Sequence, residues 1–284
     1  MKPSTNTADY NVTSDSEDGE TNADTWRHRY AKDGLRLVRT DAKQGCDPGW
    51  NRSDYVPRFG PNDGTGIHWG EYSDWRIDVE ADVPEGIPIL QRFLGSTLRF
   101  GRPGALGSHN VVRAVGAQTK KFKDTNGEML VEIRSTNTQS VVPPSPHEAG
   151  DRVWEGEYDA SKIKEFTAEE LTKTVTLAAA ATLIARSMPD GNRHDWALAL
   201  SGFLVPRIGD DRTYEVLDAA WEAAEAYTEA KTAKELESAV YGTSEKLEGG
   251  EKVAGGPKVE EITPGVVKLL GKWLDPQLYA PTEE

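Results

Sequence analysis

The stretch Trp75-Arg-Ile-Asp-Val-Glu-Ala-Asp82 places two carboxylates one residue apart in a run of alternating polar and apolar side chains. This alternation has the period of two that is typical of a β-strand with one buried face. We therefore expect Asp78 and Glu80 on one face of a sheet, with Ile77 and Val79 against a core on the other. Because neighbouring like charges repel, such a pair favours a cation site, and carboxylate oxygens suit Mg²⁺ or Mn²⁺. An edge strand with a solvated acidic face gives the same pattern.

The length and composition indicate a folded, cytoplasmic protein. At 284 residues the chain has room for two domains of roughly 150 residues each. Its hydrophobic content of 37%, with eight Trp and nine Tyr, supports a core rather than a disordered polypeptide. The single cysteine, Cys46, excludes a disulfide framework and a cysteine-based zinc site. No apolar run approaches the roughly 20 residues of a membrane span, and the N-terminus lacks the core of a signal peptide, so we expect no membrane partner.

Charge is distributed unevenly along the chain, which bears on the class of partner. The formal net charge is −14, but the acidic excess is concentrated in residues 1–25 and 210–251. From Arg99 to Arg134 the chain carries seven basic and three acidic residues. A local basic segment is typical of phosphate binding whatever the overall charge of the chain. The overall excess of acidic residues is also expected if the source cell has a generally acidic proteome. Candidate DNA contacts in this segment are Arg113, Lys120 and Lys121.

The hydrophobic pattern predicts an α+β chain in three parts. Residues 1–24 are polar and acidic, which predicts a disordered tail. Residues 25–160 predict a mixed sheet, with a helix over 26–32, an amphipathic segment over 87–94, a last strand at Trp154, and strands over 35–39, 67–69, 76–80, 97–100, 110–114, 129–134 and 139–142. Residues 163–280 predict an all-α domain. Its first helix begins at the capping box Thr167-Ala-Glu-Glu170 and ends near Met188, and further helices are predicted over 193–205, 213–229, 233–248 and 264–274.

Two further segments add candidate catalytic groups to the acidic pair. Glu132 and Arg134 alternate on the strand Leu130-Val-Glu-Ile-Arg134, and His109 follows a Gly-Ser turn. Two divalent ions roughly 3.5–4 Å apart need about three carboxylates, so Glu132 completes a candidate site for two ions. Arg134 is suited to bidentate binding of a triphosphate, and His109 to donating to a phosphate oxygen. The alternatives are an ordinary cross-strand ion pair of Glu132 and Arg134, and a surface histidine.

The chain also resembles a known family. Val131-Glu-Ile-Arg-Ser135, the loop Gln139-Ser-Val-Val-Pro-Pro-Ser-Pro-His147-Glu-Ala-Gly150 and Trp154 resemble the end of the bifunctional primase–polymerase (prim-pol) domain of the archaeo-eukaryotic primase superfamily. That family has an acid-x-acid strand, a small residue followed by His, and a third acid on a strand. This chain has segments similar to these three motifs in the same order, namely Asp78-Val-Glu80, Ser108-His109 and Glu132. Residues 191–202 and 249–257 are similar to the helical domain that follows prim-pol modules in phage and plasmid replication proteins.

The resemblance covers most of residues 26–275 and implies an RRM-like mixed-sheet catalytic domain followed by a helical bundle. It implies that Asp78, Glu80 and Glu132 bind two Mg²⁺ or Mn²⁺ ions, and that Ser108 and His109 contact the triphosphate of the incoming nucleotide. Arg134 and Arg102 are further candidate nucleotide contacts. Arg193 and His194 of the helical part are candidate template contacts. The implied activity is synthesis and extension of primers on single-stranded DNA from dNTP or NTP. No Walker A loop is present, so a helicase domain or protein is an expected partner rather than a motor within this chain.

Two rival functions remain open from the sequence. The first is a polymerase that extends primers but does not make them. The second is a non-catalytic module that binds single-stranded DNA in a replicon. De novo priming tests the first rival, and loss of the three carboxylates tests the second.

Overall fold

The computed structural model describes residues 22–41, 44–45, 47–226 and 230–279, and it confirms the α+β class. Its strands are β1 (Arg36–Asp41), β2 (Gln44–Gly45), β3 (Gly64–His68), β4 (Arg76–Ala81), β5 (Leu98–Arg102), β6 (Ala105–Arg113), β7 (Lys120–Lys123), β8 (Met129–Arg134), β9 (Gln139–Val141), β10 (Val153–Trp154) and β11 (Lys164–Glu165). Its helices are α1 (Asn22–Lys32), α2 (Gly86–Leu94), α3 (Ala168–Arg186), α4 (Arg193–Ile208), α5 (Asp210–Ala223), α6 (Ala230–Glu248), α7 (Gly256–Ile262), α8 (Val266–Trp273) and α9 (Pro276–Tyr279).

The strands form two sheets. The larger sheet has the order β10-β5-β6-β4-β8-β7, with antiparallel neighbours, and β11 pairs in parallel with β6. The smaller sheet has the order β2-β1-β3-β9 and is antiparallel. β4 is therefore an interior strand of the larger sheet, so the carboxylates of the acid-x-acid motif do not lie on a sheet edge.

The larger sheet has a different hydrophobic core on each face. On one face, Ile77, Val79 and Ile133 pack with side chains of α2 and α3 in one continuous cluster. On the other face, a second cluster joins Phe100 and Val111 to residues of α1 and the smaller sheet, including Tyr30, Ile67 and Trp69. The larger sheet is thus a middle layer between the helices and the smaller sheet.

The helices of residues 163–280 share the first of these cores. α3 begins at the predicted capping box, in which the Thr167 hydroxyl accepts from the Glu170 amide and the Glu170 carboxylate accepts from the Thr167 amide. Its segment from Val175 to Ala185 is buried throughout, because the helix lies between the sheet and other helices. The division into a catalytic and a helical domain stays a prediction, since one core joins the two parts. Within the described residues no helix is both long and apolar enough to cross a bilayer.

Several predicted boundaries differ from the structure. The predicted tail over 1–24 lies outside the described residues up to residue 21, and α1 begins at Asn22 rather than at residue 26. α4 continues past the predicted end at residue 205, through Pro206, because Leu204 and Ile208 are both buried in the core. The segment predicted as one helix over 264–274 contains α8, and the preceding glycine-rich stretch forms the unpredicted α7. The edge strand β7 was also not predicted, since its sequence Lys-Lys-Phe-Lys has only one apolar residue.

Candidate metal and nucleotide site

The register of three neighbouring strands brings the motif residues to one face of the larger sheet. Glu80 of β4 lies directly between His109 of β6 and Glu132 of β8. Asp78, two residues earlier on β4, is opposite Arg134 of β8. Ile77 and Val79 are buried on the opposite face, as the period-two pattern predicts. Asp78, Glu80, His109, Glu132 and Arg134 are hereafter called the acid face.

Asp78 is completely buried, and its two carboxylate oxygens have different surroundings. Oδ2 accepts a hydrogen bond from the Ser140 hydroxyl and lies 2.9 Å from His109 Nδ1. Oδ1 is buried and has no hydrogen-bond partner among the residues that the structure describes. Burial alone would raise the pKa of Asp78, but the charge and hydrogen bond of His109, with smaller contributions from Arg134 and Ser140, hold that pKa below its ordinary value. Asp78 is therefore ionised and has one oxygen available to a cation.

His109 lies between two carboxylates. Its Nδ1 faces Asp78, and its Nε2 lies 3.4 Å from Glu80 Oε1. The Phe100 ring stacks on the imidazole with 4.3 Å between centroids and 2° between planes, which fixes the ring orientation. Burial would lower the pKa of His109, but the charges of Glu80 and Asp78 raise it above its ordinary value. The structure thus places His109 beside the acids, whereas the resemblance implies a contact with phosphate.

Two more side chains supply positive charge to the acid face. The Arg134 guanidinium pairs with Glu80 and donates from Nε to Glu132 Oε2 at 3.1 Å. Lys121 Nζ lies 3.2 Å from Glu132 Oε1 at the more exposed side of the cluster. Each of the three predicted metal ligands is therefore in contact with a cationic or titratable group of the protein itself. This compensation lets three carboxylates lie together on one sheet face.

The carboxylates form two overlapping sets of possible metal ligands that share Glu80. One set is Asp78, Glu80 and His109, and the other is Glu80, Asp82 and Glu132, with the ligand atoms of each set within 4.8 Å of one another. Asp82 comes directly after β4 and is exposed, but the loss of hydration among neighbouring protein atoms and then the charge of Glu80 raise its pKa to about 6. The carboxylate oxygens of these two sets suit Mg²⁺ or Mn²⁺. The residues fit a divalent ion, because a bound cation would also provide a partner for Asp78 Oδ1.

A basic pair lies near the acidic cluster. Arg152, in the segment that joins the Pro-Pro-Ser loop to β10, is buried, and its Nη1 donates to the Pro146 carbonyl at 3.1 Å. Burial and then the charge of Arg102 lower the pKa of Arg152, while the charge of Glu80 opposes them. Among the described residues Arg152 makes no ion pair with a carboxylate. Arg102 is one of the predicted nucleotide contacts. Arg152 was not predicted, although the sequence shows a basic residue directly before Val153 and Trp154.

The remaining predicted residues are not brought together into one surface. Ser108 precedes His109 on β6 and is buried. Arg113 pairs with Asp74 and Glu165. Lys120 points toward the helices, with Nζ 3.3 Å from Thr176 Oγ1, and its neighbour Lys121 points to the acid face. Arg193 and His194 lie in the first turn of α4. These residues stay predictions as DNA contacts.

Comparisons with known proteins do not add to this description. No protein-family model, curated protein or solved structure gives a significant match to the chain.

Proposed function

We propose that this chain is a DNA primase–polymerase, which catalyses template-directed nucleotidyl transfer on single-stranded DNA. The observation that carries the proposal is the convergence of Asp78, Glu80 and Glu132, with His109, in register across three adjacent strands. Two possible ligand sets share Glu80, which supports the proposal because a site for two divalent ions would need several carboxylates close together. The order of these residues along the chain supports the same function through the prim-pol resemblance.

Each part of the site has a proposed role. Asp78, Glu80 and Glu132 hold two Mg²⁺ or Mn²⁺ ions, which when bound promote attack by a 3′-hydroxyl on the α-phosphate and stabilise the charge on the leaving pyrophosphate. His109 and Arg134 bind the triphosphate, and Arg134 exchanges its carboxylate partners for phosphate oxygens when the nucleotide enters. Ser108 is left out of this role, because it is the neighbouring residue on β6 and lies on the face opposite His109. Arg102 and Arg152 extend this phosphate-binding region, because their positive charges lie beside the site and Arg152 has no carboxylate partner of its own.

The test is primer synthesis from nucleotides on single-stranded DNA in the presence of Mn²⁺ or Mg²⁺. We expect product from the wild-type chain and a loss of about 1000-fold in the Asp78→Asn, Glu80→Gln double variant. Such a loss corresponds to several kcal/mol of transition-state stabilisation by metal ions. Glu245→Gln, an exposed position on α6, is the matched control and should retain full activity. Equal activity of the double variant and the wild type would overturn the site assignment.

The same assay separates the rival functions. Extension of an annealed primer with no product on unprimed template would indicate a primer-extending polymerase. Binding of single-stranded DNA that survives loss of all three carboxylates, with no nucleotide incorporation, would indicate a non-catalytic module.

A further inference from the structure

Ser140 belongs to the smaller sheet, yet its hydroxyl reaches the acid face. It lies on β9, opposite Ile67 of β3, and is buried between the two sheets. Its Oγ donates to Asp78 Oδ2 across 62 residues of sequence separation. The same oxygen accepts from Trp69 Nε1 at 2.9 Å and from Arg134 Nη1 at 3.4 Å. It therefore connects the smaller sheet to the most buried carboxylate of the site.

The hydrogen-bonding capacity of a hydroxyl fixes the direction of this contact. A serine hydroxyl has one proton to donate and two lone pairs that accept. The indole of Trp69 and the guanidinium of Arg134 can only donate, so they occupy the two lone pairs. The single hydroxyl proton is then directed to Asp78. If the hydroxyl rotated to point its proton at Trp69 or Arg134, two donors would face each other and the Asp78 carboxylate would lose the hydrogen bond from Ser140.

This contact has a consequence for the geometry of Asp78. With Ser140 and His109 both at Oδ2, the carboxylate is held by two groups at one oxygen. The other oxygen, Oδ1, is buried, and no group in the described part of the chain forms a hydrogen bond with it. Groups that orient a ligand in this way from outside the coordination sphere commonly change metal affinity by about 10–100-fold when they are removed.

We propose that Ser140, held by Trp69, is a positioning residue that orients Asp78 so that Oδ1 is presented to a divalent cation. This inference rests on the proposed metal site and assigns a role to the smaller sheet, because Ser140 lies on β9 and Trp69 directly follows β3. Ser140 acts on the cation through Asp78 and is not itself a ligand. Trp69 contributes by fixing the hydroxyl, since its indole N–H has Ser140 as a buried acceptor.

The test is calorimetric titration of the full chain with Mn²⁺ alone, which needs no nucleotide, DNA or turnover. Ser140→Ala should weaken Mn²⁺ binding by about 10–100-fold, and Ser140→Thr, which keeps the hydroxyl, should restore it to within about threefold of wild type. Trp69→Phe should weaken binding by a smaller factor in the same direction. Ser201→Ala is the matched control, because Ser201 is also a buried serine but bonds only to the Ala197 carbonyl within α4.

The outcomes separate this inference from the proposed function. Unchanged Mn²⁺ affinity in Ser140→Ala, with wild type binding normally, overturns the positioning role and leaves the metal site in place. Absence of Mn²⁺ binding by the wild type overturns both. Circular dichroism shows whether each variant is folded, and if Ser140→Ala does not fold, Trp69→Phe carries the test: unchanged affinity in that variant overturns the inference.

Discussion

The two faces of β4 and β8 are built from alternate residues of the same strands, but they are stabilised differently. On the helix side, Ile77, Val79 and Ile133 are buried among apolar side chains. On the other side, Glu80 and Arg134 occupy the intervening positions. Burial of apolar surface is favourable without a specific partner, whereas a buried charge is tolerated only beside a compensating group. Adjacent residues of one strand therefore belong to two different faces. One face stabilises the fold through apolar burial, and the stability of the other depends on the groups that compensate its charges.

This difference predicts how each face responds to ions. The helix face contributes the same stability whether or not a cation is bound. The acid face holds three carboxylates with the help of His109, Arg134 and Lys121, so its stability depends on which cations are present. Ile133 and Arg134 are neighbours on β8 with side chains on opposite faces, and they allow a direct comparison.

Ile133→Ala should give the largest change in the free energy of unfolding. The side chain is completely buried, so its truncation removes apolar contacts and leaves a cavity, at a cost of about 3 kcal/mol. Chemical denaturation with and without Mn²⁺ should show the same loss in both conditions. Recovery of the lost stability by Mn²⁺ would contradict the separation of the two faces.

Arg134→Gln should destabilise the metal-free protein by about 2 kcal/mol, because Glu80 and Glu132 then face each other without the guanidinium. Unlike the loss at Ile133, this loss should be largely recovered in Mn²⁺, since a divalent cation replaces the missing charge. Arg92→Gln is the matched control: Arg92 also pairs with two carboxylates, Asp218 and Glu222, but at the surface. Its loss should stay below about 1 kcal/mol and should not respond to Mn²⁺. If Mn²⁺ does not change the free energy of unfolding of the Arg134→Gln protein, the guanidinium has only a structural role.

His68 is a buried polar group in the smaller sheet, away from the carboxylates. It is in contact with the rings of Trp50 and Tyr72, and within the described ranges neither of its ring nitrogens has a hydrogen-bond partner. Burial, and then the charge of Arg36, lower the pKa of His68 from 6.5 to about 4. Because the unfolded chain binds a proton in this window and the folded chain does not, the stability from His68 is present above the ordinary pKa and is lost as the pH falls toward the folded pKa.

His68→Leu should remove this pH dependence. Between about pH 7 and about pH 5 the wild type should lose about 2 kcal/mol more stability than the variant, as measured by urea denaturation at each pH. The other titrating groups, including His109, are common to both proteins and cancel in the comparison. Parallel stability curves for the two proteins would show that His68 is not the group responsible.

The parts of the fold that could be predicted from the sequence are those that depend on local pattern. The period of two on β4 predicts that Asp78 and Glu80 share a face, and the residues around Thr167 predict where α3 begins. The same period places Lys120 and Lys121 on opposite faces of β7, with Lys120 toward the helices and Lys121 toward the acid face.

The parts that could not be predicted depend on contacts between distant segments. Ser140 reaches Asp78 only because β9 joins the smaller sheet and that sheet packs on the larger one. The position of His109 between two carboxylates depends in the same way on the pairing of β6 with β4, which are separated along the chain by α2 and β5. Neither contact has a local signature, because serine and histidine are ordinary residues at strand positions.

Arg152 gives the smallest expected effect and the sharpest contrast with Arg134, because both are cations near the acid face but only Arg134 has carboxylate partners. Replacing a buried charge that lacks an ion pair with an apolar side chain removes a desolvation cost, so Arg152→Leu should be at least as stable as wild type. If Arg152 binds phosphate, the same variant should raise KM for the nucleotide about tenfold, the effect of losing one charge-assisted hydrogen bond, with kcat changed less than about threefold. Arg52→Leu, at an exposed position, is the control and should change neither quantity. A stable Arg152→Leu protein with an unchanged KM would remove Arg152 from the nucleotide site, whereas higher stability combined with weaker nucleotide binding indicates that this charge is kept for its ligand rather than for the fold.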